Sequence, residues 1–98
     1  MTVSAISHYR GGTIEEATPL AKRMKAVHAK HGVLYRLGRF RTGPNAGDWV
    51  TIVQYADRPA YEQAQKDFAQ DPEYQQAVSE IRKIATQISR ELVDDIDL

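Results

Sequence analysis

Hydrophobic and polar positions along the chain predict alternating strands and helices. Residues 2–10 are rich in β-forming and small polar residues, and we predict a first strand there. Apolar residues then recur every three or four positions, as on one face of a helix: Ile14, Ala17, Leu20, Ala21, Met24 and Val27. Thr13 and Glu16 have the spacing of a capping box at the start of this helix. Gly32 favours its end.

The start of the first helix has two interpretations because of Pro19, which lacks a backbone donor and crowds the preceding turn. In one, a single bent helix begins at residue 14. In the other, Thr18 caps a helix whose first residue is Pro19. The phase of Ile14 and Ala17 favours the bent helix, because both match the later apolar positions.

The second half of the chain predicts a hairpin, a divided helix and a last strand. Residues 33–41 and 48–56 alternate as strands around a turn of Gly43, Pro44, Asn45 and Gly47. Asp57 predicts a helix start, and Asp71-Pro72 predicts that the helix breaks near residues 70–72 and restarts. Residues 90–98 predict the final strand. The continuation of the helix has these residues in phase: Ala77, Val78, Ile81, Ile84, Ala85 and Ile88.

The resulting order is β-α-β-β-α-β, which predicts an α+β, ferredoxin-like fold with a four-stranded antiparallel sheet. A chain of 98 residues has room for one domain, so we expect residues 1–98 to form a single unit. Both helical regions cover one side of the sheet in this fold. The other side then depends on which residues of the hairpin point toward it.

A four-residue loop over residues 43–46 would set the hairpin register and place Phe40 opposite Trp49. The uncovered side of the sheet would then carry an apolar, aromatic set of residues, which we predict to bind a ligand: Phe40, Trp49, Val53 and Tyr55. An exposed apolar patch of this size marks an interface or a ligand groove. We therefore predict that a second copy covers it in a two-fold homodimer.

His8 and Arg36 are the predicted catalytic residues. A histidine on a central strand can accept a proton near neutral pH. If His8 shares a face with Trp49 and Arg36, it would deprotonate a bound phenol or enol, and Arg36 would hold the anion. The structural alternatives are a hydrogen-bonded histidine without a catalytic role and an arginine in an ion pair across the dimer.

Composition narrows the function without naming it. Thirteen basic and thirteen acidic residues balance, so the chain lacks the basic excess of a nucleic-acid-binding protein. It has no cysteine, which fits a reducing cytosol, and neither a signal peptide nor a membrane span is evident, so we expect a cytoplasmic protein. We predict no metal or cofactor, because the chain lacks nucleotide-binding and zinc motifs and because His28 and His31 fit better as charge at a helix C-terminus.

The element order, the Gly43-Pro44-Asn45 turn, the Tyr55-Ala56-Asp57 step and the Asp71-Pro72-Glu73-Tyr74-Gln75 restart resemble the dimeric α/β-barrel superfamily. Its small members include antibiotic-biosynthesis-monooxygenase-like, EthD-like and NIPSNAP-like proteins. The resemblance implies a homodimer whose two sheets form a barrel, often with a ligand cavity. Superfamily members include cofactor-independent oxygenases and isomerases.

Two functions therefore remain in view. In the first, a homodimer binds an apolar or aromatic small molecule between sheet and helices, and acts as a cofactor-independent monooxygenase or isomerase. In the second, the protein is a non-catalytic module that binds a ligand or serves in assembly. A closed pocket with room for a ring would favour the first.

Overall fold

The computed structural model describes residues 1–98, and its elements follow the predicted order. The strands are β1 (Val3–Arg10), β2 (Leu34–Arg39), β3 (Trp49–Tyr55) and β4 (Thr86–Asp94). The helices are α1 (Ile14–Lys30), α2 (Arg58–Ala69) and α3 (Pro72–Ile84). All strand pairs are antiparallel and the sheet order is β2-β3-β1-β4, which confirms the ferredoxin-like fold.

Local capping chemistry accounts for the helix starts. Thr13 and Glu16 form the reciprocal capping box, so α1 begins at Ile14 and contains Pro19, as the bent-helix interpretation required. Asp57 caps α2 by accepting a hydrogen bond of 2.8 Å from the backbone N–H of Ala60. Asp71 caps α3, which confirms the predicted break in the second helical region.

The predicted hairpin register is wrong by one residue. Trp49 lies opposite Arg39, not Phe40, and Val53 lies opposite Tyr35. The cause is a bulge at the end of the turn. Gly47 donates its N–H to the carbonyl of Phe40, and Phe40 donates its own N–H to Asp48, so two residues face one. Gly47 has φ of 91°, the left-handed conformation in which glycine forms this kind of bulge.

The last strand begins earlier than predicted. The helical phase extends to Ile88, but α3 ends at Ile84 and Ala85 is already extended. Residues 86–94 instead pair with β1, with an irregularity in the register between His8 and Tyr9. Residues 95–98 lie beyond the strand.

The two faces of the sheet, called here the covered face and the open face, are unequal. The core joins alternate strand residues to all three helices on the covered face and includes Ala5, Tyr35, Val53, Tyr55, Met24 and Phe68. The open face has no helix against it and carries Ile6, His8, Leu34, Arg36, Val50, Ile52 and Val93. None of the helices is long and apolar enough to span a membrane.

Candidate functional site

A cavity of about 230 Å³ lies between the covered face of the sheet and helices α1 and α3. It is partly enclosed and mostly apolar, as ligand sites usually are. Residues of α1 and α3 form its roof, and α2 contributes none of its lining. The apolar part of the roof consists of Ala17, Leu20, Ala21, Met24, Val78, Ile81 and Ile84.

The floor of the cavity is low in the middle because its central side chains are small. Ser7 lies opposite Thr51 on one side and Arg90 on the other, and Thr51 lies opposite Leu37. The next row places Ala5 beside Val53. Larger aromatic side chains flank these positions, with Tyr9 and Trp49 on one side along the strands and Tyr35 and Tyr55 on the other. The small central side chains thus leave room between the sheet and the helices.

Trp49 is fixed at one end of the cavity. Its indole N–H donates a hydrogen bond of 3.0 Å to the carbonyl of Gly11. The guanidinium carbon of Arg39 lies 4.7 Å from the centre of its ring, a cation–π contact. Gly11 is required at this point, since a Cβ atom there would lie 2.9 Å from the carbonyl oxygen of Ile84. Trp49 is also the only tryptophan in the chain.

Four tyrosines line the cavity: Tyr9, Tyr35, Tyr55 and Tyr74. Burial raises the pKa of all four hydroxyls, because a phenolate would lose its hydration. They therefore remain neutral near neutral pH and offer O–H donors to a ligand. Ser7 and Thr51 add two further hydroxyls on the floor.

His28, on α1, is the one histidine that lines the cavity. It is 3% exposed, and its ring packs on Tyr35 and Phe68 with centroids 4.8 and 4.7 Å away. Nδ1 lies 2.6 Å from the carbonyl oxygen of Met24, so Nδ1 carries the proton and donates. Burial lowers the pKa of His28, which keeps the ring neutral. Nε2 is then a hydrogen-bond acceptor for which the protein supplies no partner.

The charged groups that line the cavity are both arginines. Arg82 lies near the end of α3 and Arg90 lies on β4. Nη1 of Arg90 donates a hydrogen bond of 3.1 Å to the hydroxyl of Tyr61. No aspartate or glutamate lines the cavity, and neither arginine forms an ion pair with a carboxylate.

The structure separates the residues that the sequence analysis grouped together. Trp49, Val53 and Tyr55 line the cavity on the covered face, so their predicted position on the open face is wrong. Phe40 lies beside the ring of His8, 5.3 Å between centroids, and does not line the cavity. The one-residue register error explains this exchange, since neighbouring side chains alternate between faces.

His8 and Arg36 both lie on the open face, whereas Trp49 lies on the covered face. The prediction that the three residues share a face, on which the catalytic roles depended, is therefore wrong. Nε2 of His8 lies 2.7 Å from Oδ2 of Asp48, and Nη2 of Arg10 lies 3.0 Å from the same oxygen. Arg10 and His8 lower the pKa of Asp48. This arrangement corresponds to the hydrogen-bonded structural alternative for His8. The catalytic roles of His8 and Arg36 stay predictions.

A second buried charge joins α1 to α3. Oδ2 of Asp71 lies 2.7 Å from Nζ of Lys30 and 2.7 Å from Nε2 of His31. Lys30 and His31 strongly lower the pKa of Asp71, which also caps α3. The predicted role of His28 as a charge at the helix C-terminus is wrong, because the ring is neutral and buried. No group of three or more histidine, aspartate or glutamate side chains is arranged to hold a metal ion.

Sequence reasoning missed His28, Arg82 and Arg90 as cavity residues. A signal for His28 was present, because it follows Met24 by four positions and so shares the apolar face of α1. Arg90 was the first residue of the predicted last strand and gave no separate signal. Arg82 sits next to the predicted core residue Ile81 and gave no separate signal.

Comparisons with known proteins support the fold. The sequence matches no protein-family model, and no curated protein is similar to it. Among solved structures, it is similar to SnoaB, a cofactor-independent oxygenase from Streptomyces nogalater, with 20% identity, a TM-score of 0.76, and coverage of 99% of this chain and 95% of SnoaB.

Two further structures extend the likeness. An uncharacterized NIPSNAP-like domain protein from Burkholderia xenovorans has 18% identity and a TM-score of 0.68, with 97% of this chain and 85% of that one covered. A dimeric protein of unknown function and ferredoxin-like fold from Bacteroides fragilis has 17% identity and a TM-score of 0.58, with 94% and 92% covered. The predicted resemblance is thereby confirmed at the level of the fold: this chain has the ferredoxin-like fold of SnoaB and NIPSNAP-like proteins.

Proposed function

We propose that the protein binds a small aromatic molecule in the cavity and removes a proton from its phenolic or enolic hydroxyl. Loss of this proton is the first step of a cofactor-independent oxygenation or of an isomerisation. The observation that carries the proposal is the free acceptor Nε2 of a neutral histidine in a ring-lined cavity. Of these two reactions, oxygenation is supported by the similarity to SnoaB, which is a similarity of fold.

The size and lining of the cavity favour a ring as the ligand. A cavity of about 150 Å³ holds a benzene molecule, and this one measures about 230 Å³. It therefore has room for one substituted ring. Apolar residues from α1 and α3 would contact the faces of the ring, while Trp49 and the tyrosines would contact its edges. The tyrosine hydroxyls would orient polar substituents.

His28 is suited to receive the proton. Its hydrogen bond to Met24 fixes the tautomer, so that Nε2 presents a lone pair. The lowered pKa keeps that lone pair available near neutral pH. After transfer, the imidazolium and the oxyanion of the ligand form an ion pair in a low-dielectric site, where their attraction is stronger than in water. The anion would then react with dioxygen or be reprotonated at another atom.

A binding module without catalysis is the second candidate. It is favoured by the packing of His28, whose ring contacts Tyr35, Phe68 and Tyr74 as a core residue would. In this case the cavity would hold the ligand without changing its protonation.

The two candidates can be separated with 4-nitrophenol, whose phenolate has its own visible absorption band. Quenching of Trp49 fluorescence would report binding, and absorbance at about pH 6 would report ionisation. Proton abstraction predicts a phenolate band in the complex that the free ligand lacks at this pH. His28→Gln should lose the band and keep the quenching. Quenching without a band, or a band unchanged in His28→Gln, would favour the binding module, and absence of quenching would exclude both.

We also propose that two copies pair through their open faces. Leu34 is 52% exposed and Val93 is 38% exposed on the edge strands of this face, and the two central strands contribute Ile6, Val50 and Ile52. Aliphatic side chains gathered on one exposed face are costly to leave in water. The homodimer predicted from the sequence is thus kept, but with aliphatic rather than aromatic contacts. Light scattering should give the mass of two chains, and a monomer at micromolar concentration would contradict the proposal.

A further inference from the structure

Positive charge on one side of the cavity indicates a more specific ligand. The sheet order puts β4 at one edge and β2 at the other. Arg90 of β4 and Arg82 of α3 therefore lie at one side, whereas Leu37 of β2 and Leu20 of α1 belong to the opposite, apolar side. Arg82, Gln87 and Arg90 are exposed lining residues, so the cavity meets solvent along this edge.

The two arginines act on the interior of the cavity. Both guanidinium charges oppose the increase in pKa that burial causes at Tyr9 and Tyr74. Arg90 also lies beside Ser7 on the floor, as its direct partner in the sheet. Its contact with Tyr61 is to a hydroxyl and a ring, with the guanidinium carbon 5.7 Å from the ring centre, so no carboxylate balances its charge.

The two buried aspartates of the protein are both paired with cations, whereas the two arginines of the cavity have no carboxylate partner. Asp48 is matched by Arg10 and His8, and Asp71 by Lys30 and His31. Inside the cavity two cations have no anionic counterpart. A bound anionic group would be this counterpart. It would form charge-assisted hydrogen bonds with the arginines, which are stronger than hydrogen bonds between neutral groups.

We propose that the cavity selects aromatic ligands that carry a carboxylate, which Arg82 and Arg90 receive at the β4 edge while the ring lies toward α1 and β2. This inference rests on the proposed binding of an aromatic molecule, and it names the charge that such a ligand carries. Arg82 and Arg90 are then specificity-determining residues, in addition to the proton acceptor His28.

The test compares 4-nitrobenzoate with 4-nitrobenzamide, two probes of similar shape that differ in charge and that both quench tryptophan fluorescence. Titrations followed by Trp49 fluorescence should show about tenfold tighter binding of the carboxylate. The preference should shrink as salt is added, because this edge is open to solvent. Arg82→Gln and Arg90→Gln should each reduce it, and Arg90→Lys should restore part of what Arg90→Gln removes.

Arg41→Gln is the matched control, because it makes the same change in net charge at an exposed residue outside the cavity lining. It should leave the preference unchanged. Equal affinity for the two probes would overturn the charge selectivity and leave the aromatic site standing. A preference that Arg41→Gln reduces as much as Arg90→Gln would also overturn it, since the effect would then come from net charge. Failure of both probes to bind would end the proposed function and this inference together.

Discussion

The two faces of the sheet are formed by alternate residues of the same four strands, and they differ in their side chains. On the covered face, Ala5, Ser7 and Thr51 are small, and the large aromatic residues stand around them, so helices that pack above leave a cavity. On the open face, Val50 and Ile52 lie at the corresponding central positions, and no helix packs against them. The difference indicates that a cavity forms where helices pack over small side chains of the central strands.

The largest effect is expected from a charge placed on the open face. Ile6→Glu would put a carboxylate into the proposed interface on both copies. Its direct neighbours in the sheet are Ile52 and Glu91, so no cation pairs with it. Burying an unpaired charge costs about 3 kcal/mol or more. We expect the dimer dissociation constant to rise by about 100-fold or more, measured by analytical ultracentrifugation.

Ala26→Glu is the control for this substitution, because Ala26 is exposed on α1 and belongs to neither face of the sheet. It should leave the dissociation constant unchanged. If Ile6→Glu also left it unchanged, the two copies would not meet through the open face, and the proposed contrast between the faces would be lost.

A substitution that fills the cavity should have the next largest effect. Thr51 is 9% exposed and forms the middle of the floor. Thr51→Leu should occupy the space of the ligand and weaken the binding of 4-nitrophenol by about tenfold, or about 1.4 kcal/mol, measured by quenching of Trp49. Thr51→Val, which has nearly the same volume, is the control and should retain binding. Similar affinities for the two variants would place the ligand elsewhere.

The helix caps should affect stability without affecting either face. Asp57→Ala removes the side chain that accepts the N–H of Ala60 at the start of α2. It should lower the free energy of unfolding by about 1 kcal/mol, measured by urea denaturation. Since α2 does not line the cavity, binding of 4-nitrophenol should stay the same. Loss of binding with unchanged stability would give Asp57 a role in the site.

The smallest effect is expected in the dependence of stability on pH. Burial lowers the pKa of His28 in the folded state, so the unfolded chain binds this proton more readily. The stability that depends on neutral His28 is complete above its unfolded pKa of about 6.5 and decreases as the pH falls toward the lowered folded value. The urea concentration at the unfolding midpoint should therefore decrease as the pH is lowered from about 7.5 to about 5.5. His28→Gln should show a shallower fall, and an equal fall would mean that His28 is not buried as a neutral ring.

The sequence was sufficient for the element order and for the caps, because these depend on local chemistry. Thr13 with Glu16, Asp57 and Asp71-Pro72 each set a helix start through side chains within a few residues. The side of the sheet on which Trp49, Val53 and Tyr55 lie was predicted wrongly, because it depends on the single extra residue of the bulge. Gly47 adopts a positive φ that its sequence permits but does not require, and the resulting bulge moves the side chains of β3 to the other face relative to β2.

The candidate site was harder to predict because it depends on contacts between distant segments. Arg90 reaches the cavity because β4 pairs with β1 and places Arg90 beside Ser7. The same pairing starts β4 at Thr86, against a helical phase that continues to Ile88. His28 and Arg82 lie on helices, and only packing against the sheet shows what they face. Trp49 and Tyr55 were predicted to bind a ligand from the sequence, but the side of the sheet on which they lie was predicted wrongly.

The most direct test of the contrast between the faces is a crystal structure of the protein grown with 4-nitrophenol. It should show the ring between the sheet and helices α1 and α3, with its oxygen within hydrogen-bond distance of Nε2 of His28, and a second copy against Val50 and Ile52. A ring bound on the open face, or side chains collapsed into the cavity with no ligand there, would contradict the account.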